Sequence, residues 1–200
     1  MKIVVCGPPS AILEAKIDSN PNCVIVDGVE SFAEHSDAGA YINLHDNAMS
    51  FTYDTTSPVL VNSVLETLPS NKTGLYRINA WPGFLKREIW EIAGLRSEKV
   101  AGIAEALGKK LVWVKDEPGF VSARVISMIV NEAFFAIADK ISTREEIDIA
   151  MKLGTGYPYG PFEWAKIIGQ QRIGKLLQLL ALSDKRYQPS ILLTGDIEHP

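Results

Sequence analysis

The sequence predicts an α/β domain with a reduced, mostly parallel sheet over residues 1–115, followed by an all-helical domain over residues 116–200. Three observations carry this prediction. Short β-branched runs alternate with short helical stretches through the first half, the pattern of strands joined by crossovers. Asp116-Glu117-Pro118-Gly119 is a dense turn cluster between the halves. Beyond it, apolar residues recur at helical spacing.

The elements follow in order. Residues 2–6 form a β-branched strand ending in Gly7, and 11–17 a short helix. Residues 23–26 give a second strand ending in Asp27-Gly28, and 30–35 one or two helical turns. Residues 40–44, 58–64 and 75–79 read as further strands. Ser97 is an N-cap, with Val100, Ile103, Ala104 and Leu107 at helical spacing and Gly108 closing the helix. Residues 111–114 complete the sheet.

In the second half, Val121, Val125, Met128, Ile129, Ala133 and Phe134 make an apolar stripe over 122–140. Ser142-Thr143-Arg144-Glu145 signals a capping box, after which Ile147, Ala150 and Met151 continue the apolar face. Residues 154–161 are rich in Gly and Pro and predict a structured loop. Residues 162–168 restart a helix that Gly169 ends, and 172–182 form the last helix, with Ile173, Leu176, Leu177 and Leu180 on one side. The stretch 183–200 predicts a partly ordered tail.

Composition narrows the function classes. With 46% apolar and 22% charged residues, global disorder is excluded. The net charge is −4 and no basic block stands out, so a nucleic-acid partner is not expected. No apolar run approaches the ~20 residues of a membrane span, and the N-terminus reads as a strand rather than a signal peptide, so a cytoplasmic protein is expected. Cys6 and Cys23 sit in apolar runs and read as reduced core thiols. His35, His45 and His199 form no metal-ligand spacing, so no metal site is expected.

The run Asp116-Glu117-Pro118-Gly119-Phe120-Val121 with Arg124, then Asn131-Glu132-Ala133, Ile147-Asp148 and Ala150-Met151, and above all 154–163, Gly-Thr-Gly-Tyr-Pro-Tyr-Gly-Pro-Phe-Glu, resemble the C-terminal domain of the 3-hydroxyacyl-CoA dehydrogenase family. The resemblance implies a helical domain that forms a homodimer interface and one wall of an acyl-CoA cleft, behind a Rossmann-like domain that binds NAD. It extends into the first half. Gly74-Leu75-Tyr76-Arg77-Ile78-Asn79-Ala80-Trp81-Pro82 lines up with the family's Gly-X-His-Phe-Phe-Asn-Pro-X-Pro. By that alignment Tyr76 stands where the family has its general-base His, Asn79 matches an Asn, and Ser63 matches a Thr hydroxyl. Glu91 takes the place of the Glu that orients the His if about three extra residues intervene; Glu88 fits without a gap. A tyrosine, with a pKa of ~10 against ~6.5 for His, is a poor base at neutral pH. Ala123 replaces a further polar Asn of the family.

The cofactor end departs further. A dinucleotide site uses a glycine-rich turn after the first strand, so that backbone N–H groups and a helix start meet the diphosphate. Here the turn is Gly7-Pro8-Pro9-Ser10, in which Gly7 can make the tight turn and Ser10 can cap the helix or meet an anion. Asp27 lies where an acidic residue would take the adenosine ribose. The six strands expected leave the first half short after the second strand, where the family has a long helix and another strand. Two readings follow: a compact NAD-dependent dehydrogenase with Tyr76, Glu91, Asn79 and Ser63 lining its cleft, or a non-catalytic homodimer that binds an acyl-CoA, another small ligand or a partner. The degenerate base and turn favour dehydrogenase activity that is lost or impaired.

Overall fold

The computed structural model describes residues 1–46, 48–70 and 72–195. They form two compact units, the first ending at Phe120 and the second beginning at Val121.

The first unit is a seven-stranded sheet: β1 (Ile3–Cys6), β2 (Cys23–Ile25), β3 (Ala40–Asn43), β4 (Val59–Asn62), β5 (Leu75–Ile78), β6 (Ile89–Ala93) and β7 (Lys110–Trp113). Their order is β2-β1-β3-β4-β5-β6-β7, all neighbours parallel except the antiparallel β5–β6 pair. The sheet therefore has one strand more than the six expected. The added strand is β6, whose flanking Glu88 and internal Glu91 mask its apolar pattern. β1, β3, β4 and β5 are buried at every position, as parallel strands covered on both faces must be. One face packs Ile3, Val5, Ile42, Leu60, Ile78 and Ile92 against helices α1 (Pro9–Ala15) and α2 (Glu98–Ala106). The other packs Val4, Tyr41, Val59 and Val61 under Phe32 and Ala48, which short 3-10 turns carry. Between β2 and β3 the chain makes only the 3-10 turn Val29–His35, and β2 is an edge strand with no further strand beside it among the described residues.

The turn after β7 stays with the sheet because Arg77 holds it. Its guanidinium donates to Asp116, to the Ser63 carbonyl (2.9 Å), to the Val64 carbonyl (3.3 Å) and to the Glu117 carbonyl. It also lies 4.7 Å from the centre of the Phe120 ring. Gly119 and Phe120 both have positive φ, a conformation costly for Phe, and the Gly119 N–H is tied to the Val64 carbonyl at 2.7 Å.

The second unit holds α3 (Ser122–Ala138), α4 (Arg144–Thr155), α5 (Pro161–Ile168), α6 (Gln170–Ala181) and α7 (Ile191–Thr194) around Phe134, Trp164, Ile168, Ile173, Leu176 and Leu193. The capping box forms one residue later than the sequence pattern placed it, with Thr143 as N-cap and Glu146 returning the bond; Ser142 adds a 2.7 Å bond to Glu146. The Gly-Pro loop has a clear physical cause. Gly160 lies against Asp148, where a methyl group would stand 2.4 Å from the carboxyl carbon. Asp148 in turn accepts the Phe162 and Glu163 N–H groups (2.8 and 3.2 Å), capping a helix whose own N-cap glycine has no side chain. The described part of the tail, residues 183–195, is fastened to the unit. Asn131 accepts the Ser190 N–H at 2.8 Å and donates to the Gln188 carbonyl at 3.0 Å, and Tyr187 and Leu193 are buried. Residues 196–200, His199 among them, lie outside the described residues.

Candidate functional site

In an open α/β sheet, ligands bind outside the carboxyl ends of the strands, at the point where strand order reverses. Here that point lies between β1 and β3, and the polar residues of the first unit gather along the same edge. Asn43, Asn62, Ser63 and Asn79 end or follow β3, β4 and β5, and all four are buried.

Their hydrogen bonds turn inward. Asn43 donates to the Tyr53 hydroxyl (2.8 Å) and accepts the His45 N–H (3.0 Å). Tyr53 passes its own proton to the Ala48 carbonyl (2.6 Å), and burial pushes its pKa up to about 12. Asn62 donates to Asp46 at 3.2 Å and accepts the Ala80 N–H at 3.3 Å. Ser63 donates to the Glu66 carbonyl at 2.9 Å. Asn79 accepts the Trp81 N–H and donates to Glu91, both at 3.3 Å.

That last bond sets Glu91, not Glu88, beside Asn79. The antiparallel register pairs Ile78 with Ile92, so Asn79 faces Glu91, and Glu88 lies before the strand begins. The extra residues form the turn Trp81–Arg87, which is fastened from several sides. Glu14 accepts the Gly83 and Lys86 N–H groups, Lys109 donates to the Leu85 and Arg87 carbonyls, and the Trp90 indole donates to Leu85. Burial lowers the pKa of Lys109 and of Arg87; Glu91 and Glu14 oppose the shift at Arg87.

Tyr76 does not join this cluster. It lies three residues, ~10 Å, down the strand from Asn79. Its ring belongs to the core on the α1–α2 face, edge-on to Trp113 at 6.1 Å and pressed on Gly94. Thus Ser63, Asn79 and Glu91 share the edge, and Tyr76 packs beneath it.

At the cofactor end, Gly7 lies against Leu44, whose Cβ would be 2.6 Å from an added methyl. Ser10 does not cap α1: the N-cap is Pro8, with no side-chain bond, and Ser10 is exposed in the first turn. Proline at both preceding positions moves the helix start upstream of the serine. Asp27 is exposed just past β2. Cys6 and Cys23 are free, with thiol pKa values pushed up by burial to about 12 and about 11; Glu30 adds to the shift at Cys6. Among the described residues no group of three His, Cys, Asp or Glu side chains could hold a metal ion, and no helix is long and apolar enough to cross a membrane.

Sequence reasoning missed Arg77. A lone charge in a β-branched run gives no sign of burial when its acceptors come from segments distant in sequence; the only signal was that it replaces a Phe of the aligned motif.

A mostly parallel sheet with polar residues along its carboxyl edge is a Rossmann-like architecture. Residues 119–199 match the family model described as the 3-hydroxyacyl-CoA dehydrogenase C-terminal domain. A probable 3-hydroxybutyryl-CoA dehydrogenase of Bacillus subtilis is 33% identical over 143 residues, 68% of this chain and 49% of the relative. The 3-hydroxyadipyl-CoA dehydrogenase of Escherichia coli is 41% identical over 88 residues, 43% of this chain and 18% of the relative. The chain thus spans half or less of the length of these relatives. The crystal structure of (S)-3-hydroxybutyryl-CoA dehydrogenase from Ralstonia eutropha superposes with a TM-score of 0.74 over 98% of this chain and 93% of that one; at 17% identity it speaks for the fold alone. Residues 119–199 thus belong to the C-terminal domain family of the 3-hydroxyacyl-CoA dehydrogenases.

Proposed function

We propose that this protein is a member of the NAD-dependent 3-hydroxyacyl-CoA dehydrogenase lineage whose dehydrogenase activity is lost or strongly impaired. It acts instead as a homodimer that binds an acyl-CoA or a related small ligand, in a reducing compartment such as the cytoplasm. The observation that carries this reading is Tyr76. At the position of the family's base stands a phenol, whose ring is held in the apolar core. Ala123, buried in α3, likewise offers no hydrogen bond where the family has Asn. Two free cysteines suit a reducing compartment. Dimerisation is supported by α4, which has no buried residue and leaves Ile149 and Leu153 exposed. NAD is the hydride carrier that family and fold imply, and Gly7, Ser10 and Asp27 are the residues that would meet it; the proline pair leaves that turn short of donors.

One observation favours the second reading, a surviving dehydrogenase. Glu91 and Asn79 keep a carboxylate–amide pair at the edge, with Ser63 nearby in sequence register. Assay of the pure protein with acetoacetyl-CoA and NADH separates the two. No NADH oxidation above background supports the impaired reading, and robust oxidation refutes it. If turnover appears, Tyr76→Phe decides whether the phenol takes part: an unchanged rate removes it from the mechanism.

A further inference from the structure

We propose that the β1–α1 edge of this chain rejects the diphosphate of a dinucleotide, so that NAD(H) is not a ligand of the first unit. This rests on the family reading of that edge and deepens it, from a weakened enzyme to a fold that has changed ligand.

The argument starts from donors. A helix start binds a diphosphate through its outward N–H groups. In α1 the N-cap is Pro8 and the first helical residue Pro9, and neither has an N–H. The N–H groups of Ala11 and Ile12 are both taken by the Pro8 carbonyl, at 3.0 and 3.1 Å. That leaves the Ser10 N–H as the one donor of the first turn that the Pro8 carbonyl does not take. The helix is seven residues long and closes at Lys16 in the left-handed region, so it adds little dipole.

Charge acts the same way. The Glu30 carboxylate folds back over Gly28, so closely that a methyl there would stand 2.3 Å from its oxygen. It is near enough to Cys6, the residue before the turn, to help hold that thiol in its neutral form. A negative group therefore stands at the end of β1, where a diphosphate would bring more negative charge. The arginines that approach the carboxyl edge are committed elsewhere. Arg77 is saturated by Asp116 and three backbone carbonyls, and Arg87 lies over the Phe84 ring facing Glu91 and Glu14. Finally, among the described residues β2 has no outer strand beside it to extend the surface beyond Asp27.

Loss of two charge-assisted hydrogen bonds weakens binding about a hundredfold or more. The test is titration of the full chain with NADH by nicotinamide fluorescence, and with NAD⁺ and ADP-ribose by calorimetry. A family dehydrogenase with an intact glycine-rich turn serves as positive control. No saturation up to millimolar ligand is expected; saturable micromolar binding of any of the three overturns the proposal. A parallel turnover assay separates this result from the reading it rests on. Binding without turnover overturns the present inference and leaves impaired catalysis standing. Turnover with NADH overturns both.

Discussion

The Arg77–Asp116 pair gives the sharpest quantitative prediction. Arg77 has no solvent-exposed side-chain surface, whereas Asp116 is 31% exposed. Removing one partner of a fully buried ion pair costs about 3–5 kcal/mol, because a charge is left without compensation. Two features reduce that here. Water reaches Asp116, and the guanidinium keeps the Ser63, Val64 and Glu117 carbonyls as acceptors. Asp116→Asn is therefore expected to cost about 2–3 kcal/mol. Arg77→Met leaves buried carbonyls unpaired, at roughly 1–3 kcal/mol for the worst of them, and removes the stacking on Phe120, so it should cost about 3–4 kcal/mol. The double variant should cost less than the sum, with a coupling of about 1.5–2 kcal/mol. Urea unfolding followed by tryptophan emission reads this directly, since Trp81, Trp90 and Trp113 all lie in the first unit. Hydrogen exchange over 116–120 should rise in both single variants. If Asp116→Asn unfolds within about 0.5 kcal/mol of the parent, the pair does not fasten the turn and the account of Phe120's strained backbone fails.

Four further outcomes are expected. Gly160→Ala should cost ~2 kcal/mol or more in urea melts, because the new methyl meets both the side chain and the backbone of Asp148. Asn131→Ala should release the tail, raising amide exchange at 188–194 at a cost of about 1–3 kcal/mol, since it strands the buried Ser190 N–H. Lys152 and the Gly160 N–H hold the Glu163 carboxyl below its usual 4.5, so the folded form sheds this proton more readily than the unfolded chain. The stability it adds is present above about pH 4.5 and is lost as pH falls through the lowered value, and Glu163→Gln should flatten that acid limb in urea midpoints. Sedimentation at micromolar concentration should give a dimer that Leu153→Glu weakens; a monomeric parent protein would sink the dimer proposal.

Much of the fold was legible for a simple reason. β1, β3 and β4 are covered on both faces, so their sequences are short apolar runs, closed by Asn in β3 and β4 and bounded by turn residues. The Gly-Pro loop was legible because its glycines answer a close approach, at Gly160, that other residues cannot make. β6 was obscured because Glu91, within the strand, points to the polar edge and breaks the run. The site was legible only in its residue types. Whether Glu88 or Glu91 faces Asn79 depends on the β5–β6 register, and register is set by the turn Trp81–Arg87 and its fastening by Glu14 and Lys109, which come from distant segments. Ser10 reads as a cap from its type, but the proline pair had already fixed the helix start.

The buried asparagines of this edge are satisfied within their own unit. A site that does chemistry leaves donors and acceptors aimed at the space a substrate will occupy. Here Asn43, Asn62 and Asn79 each accept a backbone N–H of their own unit and each donate an amide proton within it. Asn43 and Asn79 do so in the local manner of an Asx turn, bonding the N–H two residues ahead. Such residues direct the chain away from the strand ends, and their presence alone is no evidence of a ligand. Glu91 is the exception. It is half-buried, and its amide partner comes from the end of the neighbouring strand, so this bond joins the ends of β5 and β6 rather than turning the chain locally.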